Sequence, residues 1–246
     1  MLNPKASHNG ASRDTMLTKI AMMLGPRNGM RAKLFKGGSA LGIGIGIDNV
    51  LRLARNMILA RIIAPSAFGT MAVAMSVSEF FDTMTSVGIN QAIIQNPKSE
   101  EKEYLNGAFW FSALRGLIVY FLVFSLAPFI GAFYNDPGIA PILRWVSLAL
   151  LMRSLLSPKA VIAQKKMKYS QYALVLYGGG ILGIIGSLVL AIRVQTVWIL
   201  VIGLLLESFF RLVLSYVLCP FVPGFSLNRE RFRELLKFTQ GMVGLP

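Results

Sequence analysis

Six arginines, Arg52, Arg55, Arg115, Arg144, Arg153 and Arg211, sit inside long apolar runs, and four carboxylates, Asp48, Glu79, Asp82 and Glu207, lie at similar depth. A guanidinium stays charged at any ordinary pH and presents a rigid fork of N–H donors. Its chemistry is to hold carboxylate or phosphate rather than to move protons. Each charged side chain near a bilayer centre costs roughly 2.5–3.5 kcal/mol on insertion scales. An excess of arginine over carboxylate is therefore expensive in a purely structural bundle and points to a cationic cavity for an anionic cargo.

Spacing divides these residues. Asp48, Arg52, Arg55 and Asn56 fall at i, i+4, i+7 and i+8 and share one helical face. Glu79, Asp82 and Ser86 form a second stripe on the following helix. If the two helices form a hairpin turning near Pro65 and Ser66, Arg52 lies level with Glu79, Asp48 near Asp82, and Arg55 meets Ser76. Two readings stand: an Arg52–Glu79 ion pair that fixes helix register, or a charged cavity wall whose pairs open for cargo. Arg115, Arg144 and Arg153 have no carboxylate in their own helices and are the leading cavity candidates, joined by Arg52 and Arg55. The structural alternative for them is pairing with Glu79 or Asp82, or snorkelling by Arg144. Glu207 and Arg211 are four apart and can satisfy each other. Asp48, Glu79, Asp82, Glu207 and Arg211 are thus the ion-pair or charge-relay candidates. Gly179 and Gly183 make a small-xxx-small packing face, and Gly42, Gly44 and Gly46 allow close packing or bending of the first helix.

Composition excludes several classes. The 246 residues are 54% hydrophobic and 15% charged, with a net charge of +14. The basic residues flank and punctuate apolar runs rather than forming a patch on a polar chain, so no nucleic-acid partner is expected. One cysteine, Cys219, and one histidine, His8 in a polar tail, leave no cysteine metal site and little scope for histidine acid–base chemistry. No Gly-x4-Gly-Lys-Ser/Thr loop or Asp-x-Asp motif occurs. The chain is read as a non-enzyme with no catalytic residue, metal or cofactor.

The apolar runs are about the 20 residues that span a hydrocarbon core. They predict an all-α membrane protein with six transmembrane helices over about 38–64, 67–94, 105–133, 139–163, 171–192 and 196–218. Lys and Arg outside the spans cluster in the N-terminal tail, the second and fourth connections and the C-terminal segment. Only Arg61 and Arg193 lie on the other side, so both termini are expected in the cytoplasm. The division is a basic tail (1–37), a six-helix lobe (38–219) and an amphipathic linker (220–246) running into a seventh span cut short. The linker's helix is expected over 228–238, on the membrane surface. Translation starting at Met16 or Met30 is a further expectation, and the N-terminus is not a cleavable signal.

Four segments resemble a known family. Asn56-Met-Ile-Leu-Ala-Arg-Ile-Ile-Ala-Pro-Ser-Ala-Phe-Gly69 is similar to the junction between the first two helices of polysaccharide flippases of the Wzx type. Gly88-Ile-Asn-Gln-Ala-Ile-Ile-Gln95 resembles the end of their second helix. Phe109-Trp110 resembles the start of their third, and Pro158-Lys-Ala-Val-Ile-Ala-Gln-Lys-Lys-Met-Lys-Tyr169 the exit of their fourth. The resemblance implies a multidrug/oligosaccharidyl-lipid/polysaccharide exporter fold of two six-helix lobes, of which this chain has the first. It implies transfer of lipid-pyrophosphate-linked oligosaccharide across the bacterial inner membrane for lipopolysaccharide or exopolysaccharide, with membrane lipid and a second lobe or second copy as partners. These motifs lie at helix ends and assign no cargo residue. A drug or cation exporter of the same fold, and an inactive fragment or structural membrane partner, are the alternatives. Arginine in excess of carboxylate disfavours cationic cargo.

Overall fold

The computed structural model describes residues 27–85, 88–193 and 196–224. The tail before Arg27, Ser86, the helix expected over 228–238 and the start of a seventh span lie outside the described residues. The elements are α1 (Arg27–Ala60), α2 (Pro65–Thr85), α3 (Ile89–Gln95), α4 (Lys102–Phe133), α5 (Ile139–Ser154), α6 (Lys159–Lys165), α7 (Tyr169–Ala191) and α8 (Trp198–Leu218). The described residues contain helices and connections only.

Local chemistry explains most boundaries. Pro65 occupies the first position of α2, where its missing N–H costs nothing, and it biases Ala64 away from helix. After α4, Asn135 turns left-handed at φ 51, and Asp136 N–H bonds back to the Gly131 carbonyl at 3.1 Å. Met167 makes the same kind of stop after α6 at φ 57, with Lys168 N–H on Ala163 O at 2.8 Å. Two expected helices are broken. The run expected as one helix over 67–94 is interrupted before α3, where Gly88 takes φ 97, open to glycine but not to side chains. The run expected over 139–163 bends by 60° between α5 and α6. There Ser157 N–H donates to Ser215 Oγ, Ser157 Oγ to Cys219 O, and Tyr216 to the Leu155 carbonyl, so the bend's freed backbone groups are met by α8.

α4, α7 and α8 are each long and apolar enough to cross a membrane, and the bent α5–α6 pair qualifies as a fourth. α1 and α2 fall short because their apolar runs are diluted by the two charged stripes. α1 starts at Arg27 rather than near residue 38, and its 34 residues reach about 50 Å, well beyond a hydrocarbon core of about 30 Å. The outward faces are apolar: Val50, Phe121, Val189 and Val217 are all more than half exposed.

α5 lies at the centre, against α2, α4 and α8; α7 packs along α8, and α1 lies on α7 rather than along α2. The expected α1–α2 hairpin therefore does not bring the two charged stripes together. The main core joins Val119 and Val123 of α4, Leu143 and Val146 of α5, Val201 and Leu204 of α8, and Met71 and Ala74 of α2. Helices meet where side chains are small. A Cβ at Gly116 would sit 1.9 Å from Ser154 Oγ, and one at Gly183 would sit 2.6 Å from Glu207 Cα. Gly183→Leu is expected to force α7 off α8 and abolish a cooperative melt in detergent. Gly46→Ala, at a position with open space around it, should leave the melting temperature unchanged or slightly raised.

Candidate functional site

Two groups of charged residues lie inside the helix packing. The first is centred on Glu207 of α8, only 2% exposed. Arg52 of α1 engages it with both terminal nitrogens, Nη1 to Oε2 at 2.9 Å and Nη2 to Oε1, while its Nε donates to Asp48 Oδ2 at 2.8 Å. Arg211 Nη2 stands 2.7 Å from the same Oε1. Arg211 Nε donates to the Leu176 carbonyl at 2.8 Å, in a π-helical turn of α7 over Leu174–Gly178. The irregular turn places that carbonyl where the guanidinium can use it. Two arginines bond two carboxylates here, and Arg55 and Arg153 stand within electrostatic reach of the same Glu207.

Glycines make room for it. A Cβ on Gly179 would collide with the Arg211 backbone at 2.6 Å, and one on Gly180 would come within 2.6 Å of Asp48 Oδ1. Gly179 and Gly183 thus set the α7–α8 approach, and Gly180, which sequence reasoning missed, admits the α1 charges. The signal available was the run Gly178-Gly179-Gly180. The expected Arg52–Glu79 pair does not form. Glu79 is exposed on α2, while Arg52 faces α7 and α8 because α1 packs there. Arg55 does not meet Ser76; its guanidinium bonds to Asn56 Oδ1 at 3.2 and 3.3 Å. Arg52, Arg55, Asn56 and Glu207 line a cavity of about 190 Å³ closed by Met71, Met75 and Leu204.

The second group is built by α2, α4 and α5. Arg115 Nη2 lies 2.9 Å from Asp82 Oδ1, and its Nη1 donates to the Asp82 carbonyl and Thr85 Oγ1. The guanidinium of Arg153 makes no hydrogen bond or ion pair among the described residues. Both arginines have a buried Nε without a partner. They line one cavity of about 210 Å³ with Asn90, Ser112, Ser157 and Tyr172. Arg153 also borders a narrow crevice with Ser78 and Glu79. Arg144 joins neither group. It is exposed, with its guanidinium 4.7 Å over the Phe124 ring.

Apolar outward faces with paired and unpaired charges held inside the helix packing define an all-helical membrane protein with a polar interior. Residues 58–245 match the polysaccharide biosynthesis protein family, and the chain belongs to it. It is similar to the succinoglycan biosynthesis transport protein ExoT of Rhizobium meliloti (strain 1021), 26% identical over 187 residues, 76% of this chain and 38% of the relative. It is also similar to the lipopolysaccharide biosynthesis protein WzxC of Escherichia coli (strain K12), 28% identical over 146 residues, 59% of this chain and 30% of the relative. The chain thus spans roughly a third of the length of these curated relatives. No solved structure matches.

Glu207→Ala leaves Arg52 and Arg211 facing each other without their carboxylate, and a broken buried pair costs about 3–5 kcal/mol. Titration with denaturing detergent should show that loss, whereas Glu79→Ala, on an exposed side chain, should change stability by no more than about 0.5 kcal/mol.

Proposed function

We propose that the chain is the first lobe of a flippase that moves lipid-pyrophosphate-linked oligosaccharide across the bacterial inner membrane for surface polysaccharide synthesis. In this reading α1, α2, α4, the bent α5–α6, α7 and α8 cross six times, so both termini share one side, and the lysine and arginine bias makes that side the cytoplasm. Residues 38–219 form the membrane lobe, flanked by the basic tail and the 220–246 linker.

The observation that carries the reading is the cavity shared by Arg115 and Arg153, each with a buried Nε that lacks an acceptor. A buried charged donor without a partner is costly. A pyrophosphate supplies acceptors in the bidentate geometry that a guanidinium matches. In this reading Arg153 is the cargo contact, and Arg115 shares itself between Asp82 and cargo. Arg52 and Arg55 border a separate recess, and Asp48, Glu207 and Arg211 hold α1 in place.

Volume supports a half site. The cavity of about 210 Å³ is below the roughly 300–1,000 Å³ of ordinary ligand pockets. It suits a headgroup rather than an oligosaccharide, so a second lobe, in the same protein or another copy, supplies the facing wall. Cationic cargo is disfavoured because Asp48, Asp82 and Glu207 are each already engaged by arginine.

In a host whose surface polysaccharide depends on the full-length protein, Arg153→Ala should lower polysaccharide per cell tenfold or more at unchanged protein level, since a hydrogen bond to a charged group contributes about 1.5–3 kcal/mol. Arg153→Lys should recover part of it. Undiminished output from the Arg115→Ala/Arg153→Ala double variant would overturn the cavity assignment.

A further inference from the structure

At the end of the bundle away from the Glu207 cluster, a recess of about 390 Å³ opens between α6, the start of α7 and the end of α8. Its floor is apolar, made by Leu105, Ile162 and Leu218, and its rim carries Lys159, Lys166 and Lys168. The three ammonium groups differ in how they are held. Lys159 Nζ donates to the Pro220 carbonyl at 2.8 Å, which orients it without neutralising it. Lys166 pairs with Glu100 at 2.7 Å, but the two side chains are 46% and 51% exposed, so the pair is weak and open to exchange. Lys168 is exposed, and its Nζ has no hydrogen bond or ion pair among the described residues.

Glu100 also lines the recess, so three lysines face one carboxylate, and the apolar floor distinguishes the recess from a plain basic surface. Two exposed apolar side chains follow its lining residues along the same helices. Leu174 lies one turn beyond Gln171, a rim residue of α7, and Val217 adjoins Leu218 on α8; both are more than half exposed. α7 and α8 are membrane-crossing candidates, so this recess falls where a span meets the interface. There a phosphate can sit among lysines while acyl chains follow the apolar faces of the same helices.

We infer that this recess is a binding site for the phosphate headgroup of an anionic phospholipid. The lipid is held by Lys159, Lys166 and Lys168, with its chains along Leu174 and Val217. Occupancy wedges α6 against the ends of α7 and α8 and braces the 60° bend. The inference rests on residues separate from the Arg115–Arg153 cavity and stands or falls independently of the cargo reading.

The test uses the full chain purified in neutral detergent, with lipid retention read by native mass spectrometry and melting temperature read alongside. The additions are phosphatidylglycerol, phosphatidylcholine or inorganic phosphate. One phosphatidylglycerol should be retained and the melting temperature raised, with no such effect from phosphatidylcholine or inorganic phosphate. Near an anionic surface a lysine contributes about 1 kcal/mol. Lys168→Gln, at an exposed position with no partner to lose, should therefore weaken phosphatidylglycerol binding about fivefold. The Lys159→Gln/Lys166→Gln/Lys168→Gln variant should lose retention. Glu100→Gln, which releases Lys166, should tighten binding, an outcome that mere loss of structure does not give. Equal retention of phosphatidylglycerol and phosphatidylcholine, or unchanged binding by Lys168→Gln, would overturn the site. Equal stabilisation by inorganic phosphate would overturn its assignment to a lipid.

Discussion

The arrangement of the first helix depends on one buried carboxylate. Glu207 is nearly inaccessible, and it is approached from two sides by guanidinium groups of α1 and α8. Removing two or more charges from water costs several kcal/mol per ion, recovered only when geometry is close and remaining donors are met. Here the fork of Arg52 takes both oxygens of Glu207, its Nε takes Asp48, and the Nε of Arg211 takes a backbone carbonyl. These contacts fix the rotation of α1 although Asp48 Oδ1 is buried without a hydrogen-bond partner, since a turn of that helix about its axis would withdraw Asp48 and Arg52 together.

Such a cluster needs backbones close enough for side chains to meet, and glycine provides the approach. The faces of Gly179 and Gly183 lie against the α8 backbone, and Gly180 opens toward Asp48. Lipid offers apolar side chains no gain from leaving it, so packing and polar contacts carry helix association. The same logic holds on the other side of the bundle, where Gly116 lets α4 meet α5 at Ser154 and positions Arg115 near Asp82. The two groups differ in one respect that matters for function. Around Glu207 both carboxylates are bonded by arginine, whereas Arg153 has no carboxylate bonded to it among the described residues and borders open volume. Under the proposed function, that guanidinium is the one a mobile anion would engage.

Much of this was legible in the sequence, and what was not has identifiable causes. Apolar runs with proline, glycine and Asn135 at their ends announce the long helices because membrane helices must be about 20 residues and must stop somewhere. The Glu207–Arg211 contact is legible because four residues on one helix is a fixed geometry. The interruptions at Gly88 and after Ser154 were not, since an apolar run carries no mark of a bend whose backbone groups are met by another helix. Arg52's partner was misread because matching depths across the Pro65 turn presumes that consecutive helices pack together. The glycine face of α7 instead drew α1 away from α2. Arg115 with Asp82 was one of two open possibilities, and Arg144 stands apart from Arg115 and Arg153 because its face of α5 turns outward onto Phe124.

The central claim is that Arg52 and Glu207 are directly coupled across α1 and α8. A double-mutant cycle of Arg52→Ala and Glu207→Ala, read from denaturing-detergent titration of the full chain in mixed micelles, measures that coupling. The account predicts an interaction energy of about 1–3 kcal/mol for this pair, and a cycle of Arg52→Ala with Glu79→Ala within about 0.5 kcal/mol of zero. Additive effects for Arg52 and Glu207, or a larger coupling to Glu79, would contradict it.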